Sequence, residues 1–142
     1  MRSTNLRPLL AALACAGALA TPSLAATVNL KADLKASTEV PPNDSKGTGE
    51  VTATYDTTSK KLTWKGSYKD LTGPATAAHF HGPGDPGKNA GVAIPITPNA
   101  SPFEGSATLT EAQESDMMGG KWYVNVHTAA NKGGEIRGQL LK

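Results

Sequence analysis

From Val28 onward the chain is built of short runs in which apolar and polar residues alternate one for one, each closed by Gly, Pro, Asn or Asp. Side chains along a strand point alternately to opposite faces, so this is the signature of half-buried β-strands and not of a helical core. Val28, Leu30, Ala32 and Leu34 mark a first run, Val51, Ala53 and Tyr55 a second, and Leu62, Trp64, Gly66 and Tyr68 a third. Asp56-Thr57-Thr58-Ser59-Lys60 reads as a hairpin turn between the second and third. Further runs follow Thr72-Gly73-Pro74: Ala77 to His81, Val92 to Ile94, Phe103 to Leu109, Lys121 to Thr128 and Glu135 to Leu141. Pro41, Pro42, Pro95 and Pro98 belong at strand ends, bulges or edges, where no ladder hydrogen bond is lost. One helical stretch is predicted at 111–118, because Thr110 and Gln113 form a capping box and Gly119-Gly120 a stop. The expected fold is all-β, a single antiparallel Greek-key sandwich or barrel of about eight strands with one short helix.

Ahead of these runs, Arg2 and Arg7 flank the apolar stretch Leu9 to Ala20, and Ser23-Leu24-Ala25 offers a small-x-small cleavage site. This is the pattern of a secretory signal peptide cut after Ala25. Residues 1–25 are therefore expected to be removed and residues 26–142 to form one exported domain, periplasmic or secreted. The full chain carries 14 Lys and Arg against 12 Asp and Glu. Losing Arg2 and Arg7 leaves 12 of each sign, and with no basic excess the case for a nucleic-acid partner disappears. No later stretch approaches the roughly 20 apolar residues of a membrane span. Cys15 is the only cysteine and leaves with the leader; as a lipoprotein anchor it would have only a very short apolar core before it. The mature chain thus has no disulfide, no catalytic thiol and no thiolate ligand.

The histidines carry the chemistry that remains. His79 and His81 are two residues apart, so on a strand both imidazoles face one way, with Cα atoms about 6.6 Å apart. Phe80 and Ala78 take the opposite, core side. In Trp122-Tyr123-Val124-Asn125-Val126-His127 the apolar phase is Trp122, Val124 and Val126, which puts Tyr123, Asn125 and His127 in the other. If the two strands lie side by side, His79, His81 and His127 form a three-imidazole site. Neutral imidazoles suit copper, zinc or nickel, and a three-ligand set keeps one coordination position free. Against this stands the ordinary role of strand-end histidines, solvated or bonded to loop backbone.

Other residues offer less. Met117 and Met118 could give a soft thioether to Cu(I) or simply fill the core. Arg137, the only arginine after the leader, could hold an anion or form a strand salt bridge with Glu135. Tyr123 and Asn125 could hydrogen-bond the ligand imidazoles or be ordinary packing, and Asp85 suits turn chemistry. Asn43-Asp44-Ser45 and Asn99-Ala100-Ser101 match a glycosylation sequon, which matters only on a eukaryotic secretory route, and the alanine-rich leader resembles a bacterial one. No Ser/His/Asp order, phosphate-binding loop or carboxylate pair is present.

Four segments in order carry a family resemblance: Glu39-Val40-Pro41-Pro42, Ala78-His79-Phe80-His81-Gly82-Pro83, Tyr123-Val124-Asn125-Val126-His127-Thr128 and Gly134-Glu135-Ile136-Arg137-Gly138-Gln139. Together they resemble the CHRD family, the domain first described in chordin, from about Leu30 to Leu140. The resemblance implies an exported, β-rich domain and says little about activity. The cysteine-rich, growth-factor-binding modules of chordin are absent here. More distantly, His79 to Asp85 is similar to the His-x-His-x-x-Gly-Asp stretch of copper/zinc superoxide dismutases. Val126-His127 with Gly134 and Arg137 resembles their later copper-ligand strand and arginine segment. That likeness implies copper ligation by His79, His81 and His127 on a Greek-key sandwich, while the zinc-site histidines and the disulfide are missing.

The leading expectation is an exported metal-binding protein, a periplasmic copper carrier or buffer using His79, His81 and His127, whose partners are a metal ion and a periplasmic protein. The alternative is a non-enzymatic exported adhesion or assembly module without metal. A copper-only redox enzyme is the third reading; the residues favour binding over catalysis and leave turnover open.

Overall fold

The computed structural model describes residues 26–142. The expected leader, its cleavage point after Ala25 and Cys15 lie outside the described residues. Eight strands run β1 Thr27–Lys35, β2 Thr48–Asp56, β3 Lys61–Lys69, β4 Ala75–His81, β5 Val92–Pro95, β6 Phe103–Thr108, β7 Tyr123–Thr128 and β8 Ile136–Gln139, with helix α1 Glu111–Met118 between β6 and β7. They form one antiparallel sheet in the order β5-β4-β7-β8-β1-β2-β3-β6, rolled into a nearly closed barrel. A single continuous sheet makes this the barrel form of the expected all-β fold. The connections β3 to β4, β5 to β6 and β6 to β7 carry the chain from one side of the sheet to the other.

Local chemistry sets the register. In the β2–β3 hairpin the Asp56 carboxylate accepts from the backbone N–H groups of Thr58 and Ser59, at 2.9 and 2.7 Å, and Lys60 takes a left-handed φ of 59°. That turn holds Thr48 to Asp56 against Lys61 to Lys69 without a slip. In α1, Thr110 Oγ1 accepts from Gln113 N–H and Gln113 Oε1 accepts from Thr110 N–H, the predicted box. Pro95 closes β5, an edge strand, where it costs the ladder nothing.

The core is one cluster inside the barrel. Leu30, Ala32, Leu34, Val51, Ala53, Tyr55, Leu62 and Trp64 come from β1 to β3, and Ala78, Phe80, Val124 and Val126 from β4 and β7. The Phe80 ring packs edge-on against Trp64 at 5.0 Å and tilted against Trp122 at 6.0 Å. Met117 is buried in this cluster and Met118 packs on its margin, so both methionines serve the core. A short 3-10 turn at Ala36–Thr38, not signalled by the sequence, leads from β1 into Glu39.

β7 departs from the simple alternation. Its residues are buried on both faces, apart from His127 at half-burial, because the segments 82–91 and 129–135 cover the outer face that the alternation assigned to solvent. The site lies under this cover.

Candidate metal centre

β4 and β7 are sheet neighbours, with His79 opposite Asn125, His81 opposite Tyr123 and Ala77 opposite His127. The three histidines predicted to share the non-core phase therefore meet on the outer face. His79 Nδ1 lies 3.1 Å from His127 Nε2, and one nitrogen from each of the three rings lies within 4.8 Å of the others.

Two backbone carbonyls determine how the rings present themselves. His81 Nδ1 is 2.9 Å from Ala90 O, and His127 Nδ1 is 2.8 Å from Lys132 O. A carbonyl oxygen only accepts, so in each neutral ring Nδ1 carries the hydrogen and Nε2 carries the lone pair. Nε2 of His81 is buried and has no hydrogen-bond partner. Metal-ligating histidines are oriented in this way, the far nitrogen donating to a carbonyl while the near one is left free. Imidazole nitrogens sit about 2.0–2.1 Å from a bound zinc ion, so paired ligand atoms stand about 3.3 Å apart, close to the His79–His127 separation. The residues fit a borderline cation such as copper or zinc.

Two of the imidazoles, those of His79 and His81, are held toward the neutral form. Burial pushes the His79 pKa below 6.5, and the neighbouring His127 and His81 add to the shift. Burial also lowers His81, outweighing the opposing pull of the Ala90 carbonyl. Between the depressed values and 6.5 the unfolded chain binds protons that the folded chain refuses, so acidification through that window weakens the metal-free fold. In an NMR pH titration of the metal-free protein, the imidazole signals of His79 and His81 should turn over below 6.5. Midpoints at or above 6.5 for both would mean the site is open to water.

A stack continues from the histidines across the sheet. The His81 and Tyr123 rings are parallel within 1° at 4.8 Å, and the Arg137 guanidinium carbon lies 3.4 Å from the centre of the Tyr123 ring. Tyr123 OH accepts from Ala90 N–H at 3.0 Å. Arg137 donates to Asn89 Oδ1 at 3.1 Å and to Lys88 O at 2.7 Å. Arg137 and Tyr123 thus fasten segment 82–91, whose Ala90 carbonyl orients His81. The expected Arg137–Glu135 salt bridge does not form, since the two side chains serve different loops. Arg137 holds segment 82–91, and the buried Glu135 carboxylate accepts from Ser45, Thr72, Thr128 and Asn131. Asp85 serves the loop turn, its carbonyl accepting from Lys88 N–H at 2.9 Å, while its carboxylate makes an exposed 3.7 Å contact with Lys121.

Glu39 is the participant that pattern reading left without a role. It is buried, and its Oε1 accepts from Asn125 Nδ2 at 3.2 Å while Oε2 accepts from Val40 N–H at 2.9 Å. Gly134, at φ 131°, makes room: a Cβ there would stand 1.9 Å from Glu39 Oε1. The acid in Glu39-Val40-Pro41-Pro42 was visible; its reach to β7 was not.

An antiparallel β-barrel carrying three converging imidazoles under a loop cover defines a small β-module with a candidate metal centre. The profile described as CHRD domain matches residues 30–140, and the chain belongs to that family. Comparison with curated proteins and with solved structures gives no match. Among the described residues no helix is long and apolar enough to cross a membrane.

Proposed function

We propose that the protein is exported and binds copper through His79, His81 and His127, acting as a carrier or buffer whose open coordination position lets the ion exchange. The observation that carries this reading is the convergence of three imidazole nitrogens within 4.8 Å, with the Ala90 and Lys132 carbonyls fixing the lone pairs of His81 and His127 on Nε2. An all-imidazole set accepts copper and zinc alike, and the general affinity order of divalent ions puts Cu(II) first and zinc second. Export rests on the Arg2/Arg7, Leu9 to Ala20 and Ser23-Leu24-Ala25 pattern and on membership of a family of extracellular modules.

The test is a titration of residues 26–142 with Cu(II), with Cu(I) under anaerobic conditions, and with Zn(II). One equivalent of copper should bind, and His79→Ala should abolish stoichiometric uptake. No uptake, or uptake unchanged in His79→Ala, would overturn the reading in favour of an adhesion or assembly module. Because burial holds His79 and His81 neutral, copper should stay bound at a lower pH than on exposed histidines, which a chelator competition across pH measures. Mass spectrometry of the exported protein should find Ala26 as its first residue.

A further inference from the structure

We infer that Asn125 supplies a fourth, oxygen donor to the three-histidine site, so that the site is built for a divalent ion, Cu(II) ahead of Cu(I). The inference rests on the proposed copper reading and takes it one ligand further.

Asn125 sits at the middle of the covered face, opposite His79 on β4 and opposite Arg137 on β8, with only 3% of its surface exposed. Its amide orientation is forced. Nδ2 faces Glu39 Oε1 at 3.2 Å and Gly133 O at 3.5 Å, both of which can only accept. Oδ1 must therefore point the other way, and it is buried without any hydrogen-bond partner.

Four buried side-chain atoms lack a partner among the described residues, and two of them, His81 Nε2 and Asn125 Oδ1, belong to this one face. With the His81 hydrogen committed to Ala90 O, both atoms present only lone pairs. Buried acceptors with no donor are costly, and a cation between them relieves both at once. The arrangement behind the amide strengthens the oxygen. The Glu39 carboxylate draws on Nδ2, which increases the electron density on Oδ1, as outer hydrogen bonds do for other ligands. The glycine at 134 that admits Glu39 shows how closely this support is packed.

The donor set then has three imidazole nitrogens and one amide oxygen. Carbonyl oxygen is a hard ligand and imidazole a borderline one, whereas Cu(I) is favoured by soft sulfur. Asn125 therefore discriminates between oxidation states.

Two measurements test this. Competition titrations of wild type and Asn125→Leu with Cu(II) and Cu(I) should show Cu(II) affinity falling by about 10-fold or more, with Cu(I) affinity changed by less than about 3-fold. Zn(II) loading of isotope-labelled wild type should shift the Asn125 side-chain carbonyl carbon in NMR, a readout independent of whether the variant folds. Equal losses for both oxidation states, unchanged Cu(II) affinity, or an unmoved carbonyl carbon would overturn the inference. Asn125→Leu behaving as wild type while His79→Ala loses copper would leave the three-histidine reading standing. His79→Ala retaining copper would bring down both.

Discussion

Glu135→Gln is expected to lower the stability of the domain at neutral pH by about 3 kcal/mol and to flatten its stability between about pH 4.5 and 2. Glu135 is fully buried and has no cation within salt-bridge distance among the described residues; its charge is held by hydrogen bonds alone. Ser45 Oγ and Thr72 N–H donate to one carboxylate oxygen at 2.5 and 2.7 Å. Thr72 Oγ1, Thr128 Oγ1 and Asn131 Nδ2 donate to the other at 2.6, 2.5 and 3.1 Å. Burial pushes the pKa up, but the donors from Ser45, Thr128 and Thr72 outweigh it and bring the group down to about 2. A folded-state pKa below the ordinary 4.5 means stability that is complete above that value and lost as pH falls toward 2. A shift of this size corresponds to about 3 kcal/mol. The amide of glutamine would turn a donor group toward donors, leaving several unsatisfied. Urea unfolding of both proteins across pH measures the difference. Equal stability at pH 7 with parallel acid curves would show that the five donors find water as readily as they find Glu135.

That cluster also shows where the sequence is readable and where it is not. Alternation identified the core-facing residues of β2 and β3, because Val51, Ala53, Tyr55, Leu62 and Trp64 face one core while the residues between them face outward. On β7 the same rule placed Tyr123, Asn125 and His127 on one face, correctly, but it could not show that loops cover that face. The covering groups that orient the histidines are the carbonyls of Ala90 and Lys132, backbone atoms with no residue signature. Glu135 and Arg137 are two residues apart and opposite in charge, so a pair was the natural expectation. Each instead satisfies a separate loop, and pairing between distant loops leaves no periodic trace. The meeting of β4 with β7 is likewise a matter of topology; the phase of the histidines was legible, while the adjacency of their strands was conditional until the sheet order showed it.

Phe80→Ala is expected to cost about 3–5 kcal/mol, a fifth or more of the roughly 5–15 kcal/mol that holds a domain folded. Phe80 is fully buried between Trp64 and Trp122, and its strand neighbours are His79 and His81. The ring thus anchors from the core side the two residues whose imidazoles point outward. Removing it leaves a cavity beneath β4 that the two tryptophans cannot fill without rotating, while Phe80→Leu keeps most of the volume and should cost less. Urea unfolding measures the stability loss, and copper titration of the same two variants under folding conditions reads the site. If the core aligns the histidine pair, copper affinity should fall further in Phe80→Ala than in Phe80→Leu. If affinity holds in both while stability drops in Phe80→Ala, alignment comes from the covering side, from Ala90 O at His81 and His127 Nε2 at His79. The barrel would then serve mainly to bring β4 and β7 together, with the loop backbone setting the geometry of the site.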